Sequence, residues 1–313
     1  MRILVASTAF PDTPELLREL LPDDEVLVDA SVVDGPADVV VPLMTRVDGA
    51  FMDRFAPRLI QQAGVGLEGV DRAAARERGI PVGNVPAAGT GNSEGVGEIA
   101  VLHLLALVRR YREGLDAIAA RRVGEPTGIA LHGRTIVILG LGDVGAATAQ
   151  RLSGFGAQLV GVGTREDAAA QARARELGLA EYVAVSRLTE ALRGALALIV
   201  CCVLTDATRG LVGREAMAAL GEGEPGYLIN VARGPIVDYD ALLGSLRDGT
   251  LAGAGLEVFW QEPVDPDDPL LAENVTLTPH TGGTTTQANV KVVEGVVANI
   301  ERLRRGEPVI EAR

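Results

Sequence analysis

Short apolar, β-branched runs alternate with helix-forming stretches along the chain, and this alternation predicts parallel α/β architecture. In the first part of the sequence the candidate strands are residues 3–6, 25–29, 38–41, 59–63 and 80–83. Residues 14–21 and 71–78 have helix-forming composition, and Asp71 is a candidate N-cap. Residues 98–122 read as one long helix, apolar through Leu102, Leu105 and Val108 and basic at Arg109, Arg110 and Arg112. A glycine- and proline-containing loop, 124–133, precedes a second α/β series. Its candidate strands are 135–139, 158–162, 196–203, 227–231, 254–259 and 275–278, and a last helix covers 284–304.

The pattern implies two domains. The first series reads as a small open-sheet α/β domain, and the second as a doubly wound parallel sheet. A length of 313 residues is ample for two cores.

Composition narrows the function. The formal charge of −13 disfavours nucleic acid and anionic membranes as partners, and an anionic substrate would have to be drawn in by local arginines or backbone amides. The first residues run directly into an apolar strand with no signal-peptide pattern, and no apolar run is long enough to span a bilayer; the expectation is a soluble, cytoplasmic protein. Cys201 and Cys202 are adjacent in an apolar run and read as core residues. They make neither a disulfide framework nor a zinc site, and no metal is expected.

Chemistry enters at Gly140-Leu141-Gly142-Asp143-Val144-Gly145, which follows a candidate strand and opens a candidate helix. Gly140 permits the tight turn, Gly142 lets backbone approach a pyrophosphate, and Gly145 allows helix–strand packing, with helix amides facing the phosphates. At the end of the next strand an acid usually accepts from the ribose 2′-OH. Here Gly163 stands in that place, followed by Thr164 and Arg165. The favoured reading is NADP, with Thr164 and Arg165 holding the 2′-phosphate; the other reading is a solvated Arg165 and bound NAD.

Three polar residues follow later strands: Arg233, Glu262 and His280. Ligands of open α/β sheets bind outside the carboxyl ends of the strands. Together the three have the chemistry for a 2-oxo acid. A guanidinium forks onto a carboxylate and polarises a carbonyl, an imidazolium supplies a proton, and a carboxylate favours that protonated form.

The words around them carry a resemblance. Ile229-Asn230-Val231-Ala232-Arg233-Gly234-Pro235-Ile236-Val237-Asp238, Gly255-Leu256-Glu257-Val258-Phe259-Trp260-Gln261-Glu262-Pro263 and Thr278-Pro279-His280-Thr281-Gly282-Gly283 resemble, in order, segments of the D-isomer-specific 2-hydroxyacid dehydrogenases. Gly64-Val65-Gly66-Leu67-Glu68-Gly69-Val70-Asp71 and Val82-Gly83-Asn84-Val85-Pro86 resemble that family's substrate loop and hinge approach.

The resemblance implies an oxidoreductase, glyoxylate/hydroxypyruvate reductase-like or phosphoglycerate dehydrogenase-like, with a doubly wound parallel-sheet dinucleotide-binding domain over 99–283, a second, smaller, flavodoxin-like α/β substrate domain over 1–98 to which 284–313 return, and an active site in the cleft between them. Arg233, Glu262 and His280 are its catalytic set, and Val65 and Gly66 supply amides to the substrate carboxylate. Asp143, Val144, Ala232 and Glu257 join the cofactor contacts, Glu257 standing where an aspartate usually meets the nicotinamide carboxamide. Glu262 separates the chain from formate-oxidising members, which carry glutamine there. A homodimer built on the cofactor domain is also implied.

Ile99 replaces a histidine common in the family and reads as packing. His103 and His132 read as structural. Trp260 either lines a substrate pocket or packs, and Arg46 either meets a second anionic group or is a surface charge. Two other functions remain open at this point, an NAD(H)-sensing corepressor-like binding protein and a dehydrogenase of a phosphorus oxyacid.

Overall fold

A computed structural model of the chain describes residues 1–165 and 167–312. The chain divides into two compact units, Met1–Asn92 with Thr284–Arg313, and Ser93–Gly283.

In the first unit the elements run β1 (Arg2–Val5), α1 (Asp12–Leu20), β2 (Glu25–Val28), β3 (Val39–Val41), α2 (Gly49–Phe55), β4 (Leu59–Gln61), α3 (Arg72–Glu77) and β5 (Val82–Gly83). All pairings are parallel, in the order β2-β1-β3-β4-β5, the flavodoxin-like order. Successive residues of β1 and β3 face opposite cores. Leu4 and Val40 pack with Met52 and Phe55 of α2, whereas Ile3, Val5, Val39 and Val41 pack with Leu17 and with Val293, Val296 and Ile300 of the C-terminal helix (Thr286–Arg304). Asp71 caps α3 by accepting from the Ala74 amide at 2.9 Å.

The second unit contains α4 (Asn92–Val108, its first residue at the boundary), α5 (Tyr111–Ala119), β6 (Thr135–Leu139), α6 (Asp143–Leu152), β7 (Gln158–Gly163), α7 (Ala168–Glu176), β8 (Glu181–Ala184), α8 (Leu188–Leu192), β9 (Ala197–Val200), α9 (Arg214–Leu220), β10 (Gly226–Asn230), α10 (Tyr239–Arg247), β11 (Leu251–Leu256) and β12 (Val275–Leu277). The C-terminal helix is α11. Among the described residues the strands form one parallel sheet in the order β12-β11-β10-β9-β6-β7-β8. The order reverses between β6 and β9, which marks the ligand crevice of a doubly wound fold. Near-continuous apolar strands fill both faces: Val137, Leu198 and Leu228 on one, Ile136, Ile138, Ile199 and Ile229 on the other.

Three local expectations are corrected. The long helix expected over 98–122 is two helices, because Arg110 adopts a left-handed conformation (φ 52°) that ends α4 and starts α5 on a new axis. The strand expected over 196–203 ends at Val200, so Cys201 and Cys202 lie just beyond it, half-buried. A strand over 181–184, β8, was not among those expected; its polar first residue, Glu181, weakens the apolar run on this edge.

Candidate active site

The cofactor turn begins where β6 ends. Gly140 adopts φ 95°, and a β-carbon there would stand 2.7 Å from the Cys202 backbone, so only glycine passes between β6 and the residues after β9. A β-carbon on Gly145 would collide with the Gly140 carbonyl. Gly142, the N-cap of α6, has nothing within 4 Å of such an atom, so its missing side chain opens onto free space at a helix N-terminus. That combination suits a pyrophosphate. Cys202 is here a backbone neighbour of the turn, and burial pushes the Cys201 and Cys202 thiols up to about 12 and about 11.

After β7, Gly163 is hemmed in by the Tyr182 phenol of β8. The Tyr182 hydroxyl donates to the Arg165 carbonyl at 2.7 Å, and the exposed Arg165 guanidinium pairs with Asp167 at 2.7 Å. Arg165 thus lies beside the cofactor strand on the surface, with an acid as its neighbour.

The three catalytic candidates follow β10, β11 and β12, adjacent strands at the same sheet edge. Asn230, fully buried at the end of β10, shapes the first turn: its side-chain oxygen accepts from the Ala232 amide at 3.1 Å and its amide donates to the Arg233 carbonyl at 2.9 Å. The next residue, Gly234, must be bare, because a β-carbon there would overlap the Phe259 carbonyl. The arginine turn therefore packs against the start of the glutamate turn. There the Phe259 amide donates to Glu262 Oε1 at 2.9 Å, and the other carboxylate oxygen, Oε2, lies 2.6 Å from His280 Nδ1.

Burial raises the Glu262 carboxyl, but the hydrogen bond and charge of His280, the Phe259 amide and the charge of Arg233 outweigh it and hold its pKa below the ordinary carboxylate value. The group therefore stays ionised beside the imidazole. His280 itself sits at φ 55°.

Other candidates have definite places. Glu257 is buried, its carboxylate accepting from the Thr278 hydroxyl and the Gly282 amide. The Trp260 indole donates to the Val237 carbonyl at 2.7 Å and meets Tyr239 edge-on, which accounts for it by packing. His103 is buried with both ring nitrogens bonded. In the first unit, Val65 is exposed, its carbonyl accepting from the Asn84 side chain at 2.9 Å. Among the described residues neither the Val65 nor the Gly66 amide is spent on an internal backbone acceptor. No three His, Cys, Asp or Glu side chains are placed to hold a metal among the described residues. Asn230 and Tyr182 escaped the sequence reading. A lone polar residue closing the apolar run of β10 is the one signal that points to Asn230.

The family model for the D-isomer specific 2-hydroxyacid dehydrogenase NAD binding domain matches residues 101–282. A glyoxylate reductase from Korarchaeum cryptofilum is 34% identical over 305 residues, covering 94% of this chain and 87% of that one. A D-3-phosphoglycerate dehydrogenase from Mycobacterium leprae is 32% identical over 307 residues, covering 96% of this chain and 53% of its own. Among solved structures, the NADPH-dependent glyoxylate/hydroxypyruvate reductase from Sinorhizobium meliloti, in complex with NADP and malonate, superposes with a TM-score of 0.80. It is 30% identical and covers 100% of this chain and 96% of that one.

Proposed function

This chain belongs to the D-isomer specific 2-hydroxyacid dehydrogenase family, and from that premise we propose that it reduces a small 2-oxo acid to its D-2-hydroxy acid with NADPH, using His280, Glu262 and Arg233. It is an NAD(P)-dependent 2-hydroxyacid dehydrogenase. The contact that carries the residue assignment is His280 Nδ1 on Glu262 Oε2, at the sheet edge that also holds Arg233.

When bound, the dihydronicotinamide supplies the hydride to the carbonyl carbon. Arg233 holds the substrate carboxylate and polarises the carbonyl oxygen. As charge builds on that oxygen, His280 delivers a proton to it. Because Nδ1 is committed to Glu262, Nε2 is the nitrogen that gives the proton up, and the ionised Glu262 steadies the imidazolium beforehand. In the reverse direction His280 takes the proton back. Val65 and Gly66 supply backbone donors to the carboxylate. Gly140, Gly142, Asp143, Val144, Gly145 and Ala232 hold the dinucleotide, with Thr164 and Arg165 on the 2′-phosphate.

The assembly is a homodimer. On α5, Tyr111, Leu115 and Ile118 recur at one face and are 63%, 50% and 73% exposed, an apolar stripe suited to a second copy. Among the described residues no helix is long and apolar enough to cross a membrane.

A panel of 2-oxo acids run with both NADPH and NADH tests the reading. Glyoxylate and hydroxypyruvate head it, because the relatives are named for them. No oxidation of either cofactor by any 2-oxo acid would end the proposal.

A further inference from the structure

Glu257 immediately follows β11 and is 2% exposed. Its carboxylate accepts from the Thr278 hydroxyl through Oε2 and from the Gly282 amide through Oε1, and its backbone carbonyl accepts from the His280 amide at 3.0 Å. Positions 278, 280 and 282 alternate along one turn. A single residue therefore grips that turn before, at and after the histidine, whose left-handed backbone (φ 55°) is one that side chains rarely adopt unsupported.

The grip extends inward. Thr278 Oγ1 lies 2.9 Å from His103 Nε2, and Thr276 Oγ1 lies 2.8 Å from His103 Nδ1. Burial raises the Glu257 pKa while the Thr278 and Gly282 donors act against it; with the carboxylate ionised, the Thr278 hydroxyl gives it its one proton, so the hydroxyl oxygen accepts from His103 Nε2–H. His103 Nδ1, without a proton, then accepts from Thr276. Counting protons thus fixes the imidazole tautomer, and each bond of the series points toward the Glu257 carboxylate. Burial, which lowers the His103 pKa to about 4, keeps the ring in the neutral form that this pattern requires.

Two glycines make the series possible. A β-carbon on Gly255 would stand 2.9 Å from the His103 ring carbon Cγ, closing the gap through which the imidazole reaches from α4 across β11 to β12. One on Gly282 would stand 2.8 Å from Glu257 Oε1.

We propose that Glu257, Thr278 and His103 are positioning residues for His280: the bonded series fixes the turn at both flanks and so sets the direction in which the imidazole leaves Glu262 toward substrate. The inference rests on the reading of His280 as the proton donor. It gives Glu257 a duty within the protein, where the family resemblance implies a contact to the nicotinamide carboxamide. Both Glu257 oxygens are already engaged and enclosed by the turn.

The experiment uses the full chain with Thr278→Val, Thr278→Ser, Glu257→Gln and His280→Ala. Steady-state kinetics, NADPH Kd from fluorescence titration and the primary deuterium isotope effect with deuterated cofactor are measured for each. Thr278→Val keeps volume and loses the hydroxyl. It should lower kcat about tenfold or more, leave substrate KM and NADPH Kd within about twofold, and raise the isotope effect on kcat as hydride transfer becomes more rate-limiting. Thr278→Ser should restore most of kcat.

Glu257→Gln keeps one acceptor oxygen where the carboxylate has two, so it can accept from the Thr278 hydroxyl or from the Gly282 amide but not from both, and it should lower kcat as Thr278→Val does, which keeps the proposal open to refutation should the valine variant not fold. Wild-type kcat in folded Thr278→Val or Glu257→Gln would overturn it. So would a weakened NADPH Kd with kcat intact in Glu257→Gln, which would return this residue to the cofactor. His280→Ala separates the two levels: if it turns over normally, the reading of the reaction fails, whereas a dead His280→Ala beside a fully active Thr278→Val sinks the positioning series alone.

Discussion

The Tyr182 phenol fills the space in which a side chain on Gly163 would have to stand, and its hydroxyl donates to the carbonyl of Arg165 two residues on. The bare glycine in the usual place of an acid is thus the space that the Tyr182 phenol of β8 occupies against β7. It leaves Thr164 and Arg165 as the polar residues at the strand end.

On the proposed NADPH reading, cofactor choice turns on the Arg165 guanidinium. The Arg165–Asp167 pair is exposed, and such pairs contribute only about 0–1 kcal/mol, so a 2′-phosphate can displace the carboxylate at small cost. Arg165→Ala should raise KM for NADPH about tenfold and leave KM for NADH within about twofold, a loss of roughly 1.4 kcal/mol confined to the phosphorylated cofactor. Asp167→Asn, which keeps the side-chain oxygen that caps α7, should tighten NADPH. Equal effects of Arg165→Ala on both cofactors in steady-state kinetics would argue for bound NAD with a solvated arginine.

The catalytic assignment predicts a graded series. His280→Ala removes the proton donor and should lower kcat by about 10²–10⁴. Glu262→Gln leaves an isosteric side chain but no charge beside Nδ1, and a smaller loss of about tenfold or more is expected. Arg233→Ala should lower kcat and raise substrate KM together, since the same cation binds the carboxylate and polarises the carbonyl. Turnover by His280→Ala within a few-fold of wild type in the 2-oxo acid assay would refute the set.

The sequence is most legible where chemistry and strand ends coincide. The cofactor turn, Arg233, Glu262 and His280 each follow an apolar run, and the rule that ligands of open α/β sheets bind beyond the carboxyl ends of the strands singles them out, while the adjacency of β10, β11 and β12 is given by the sheet order. What it could not show is what long-range packing decides. The left-handed break at Arg110 lies inside an unbroken helical composition, so two helices read as one. Tyr182 and Gly163 are far apart in the chain, and it is the pairing of β7 with β8 that brings the phenol against the glycine. His103 reads as structural from its place in an apolar helix, yet its partners Thr276 and Thr278 come from β12 and the turn after it, a pairing that no local spacing announces.

His103 also predicts a pH dependence of stability. Burial lowers its pKa to about 4, against about 6.5 in an unfolded chain. Between those values the unfolded state binds a proton that the folded state refuses, so stability is full above about 6.5 and is lost as pH falls toward 4. The loss from this group should amount to about 2–4 kcal/mol. Thermal melts between pH 7 and pH 5 should show a declining Tm in the native chain and a visibly flatter decline in His103→Gln. Parallel curves would mean that His103 is not the group titrating there.

The apolar stripe of α5 predicts the oligomeric state. Ile118 is 73% exposed and stands one helical turn from Leu115, which is 50% exposed, so in a monomer both side chains would face water. Burying such a residue contributes about 1.5–3 kcal/mol, and a charge placed in the same contact carries the cost of its desolvation. Ile118→Glu should therefore convert a dimer into a monomer in light scattering coupled to size exclusion. Its thermal melt should otherwise stay cooperative, because the altered side chain belongs to no internal core. A native chain that elutes as a monomer at micromolar concentration would sink the homodimer, and an Ile118→Glu variant that remains dimeric would move the interface away from α5.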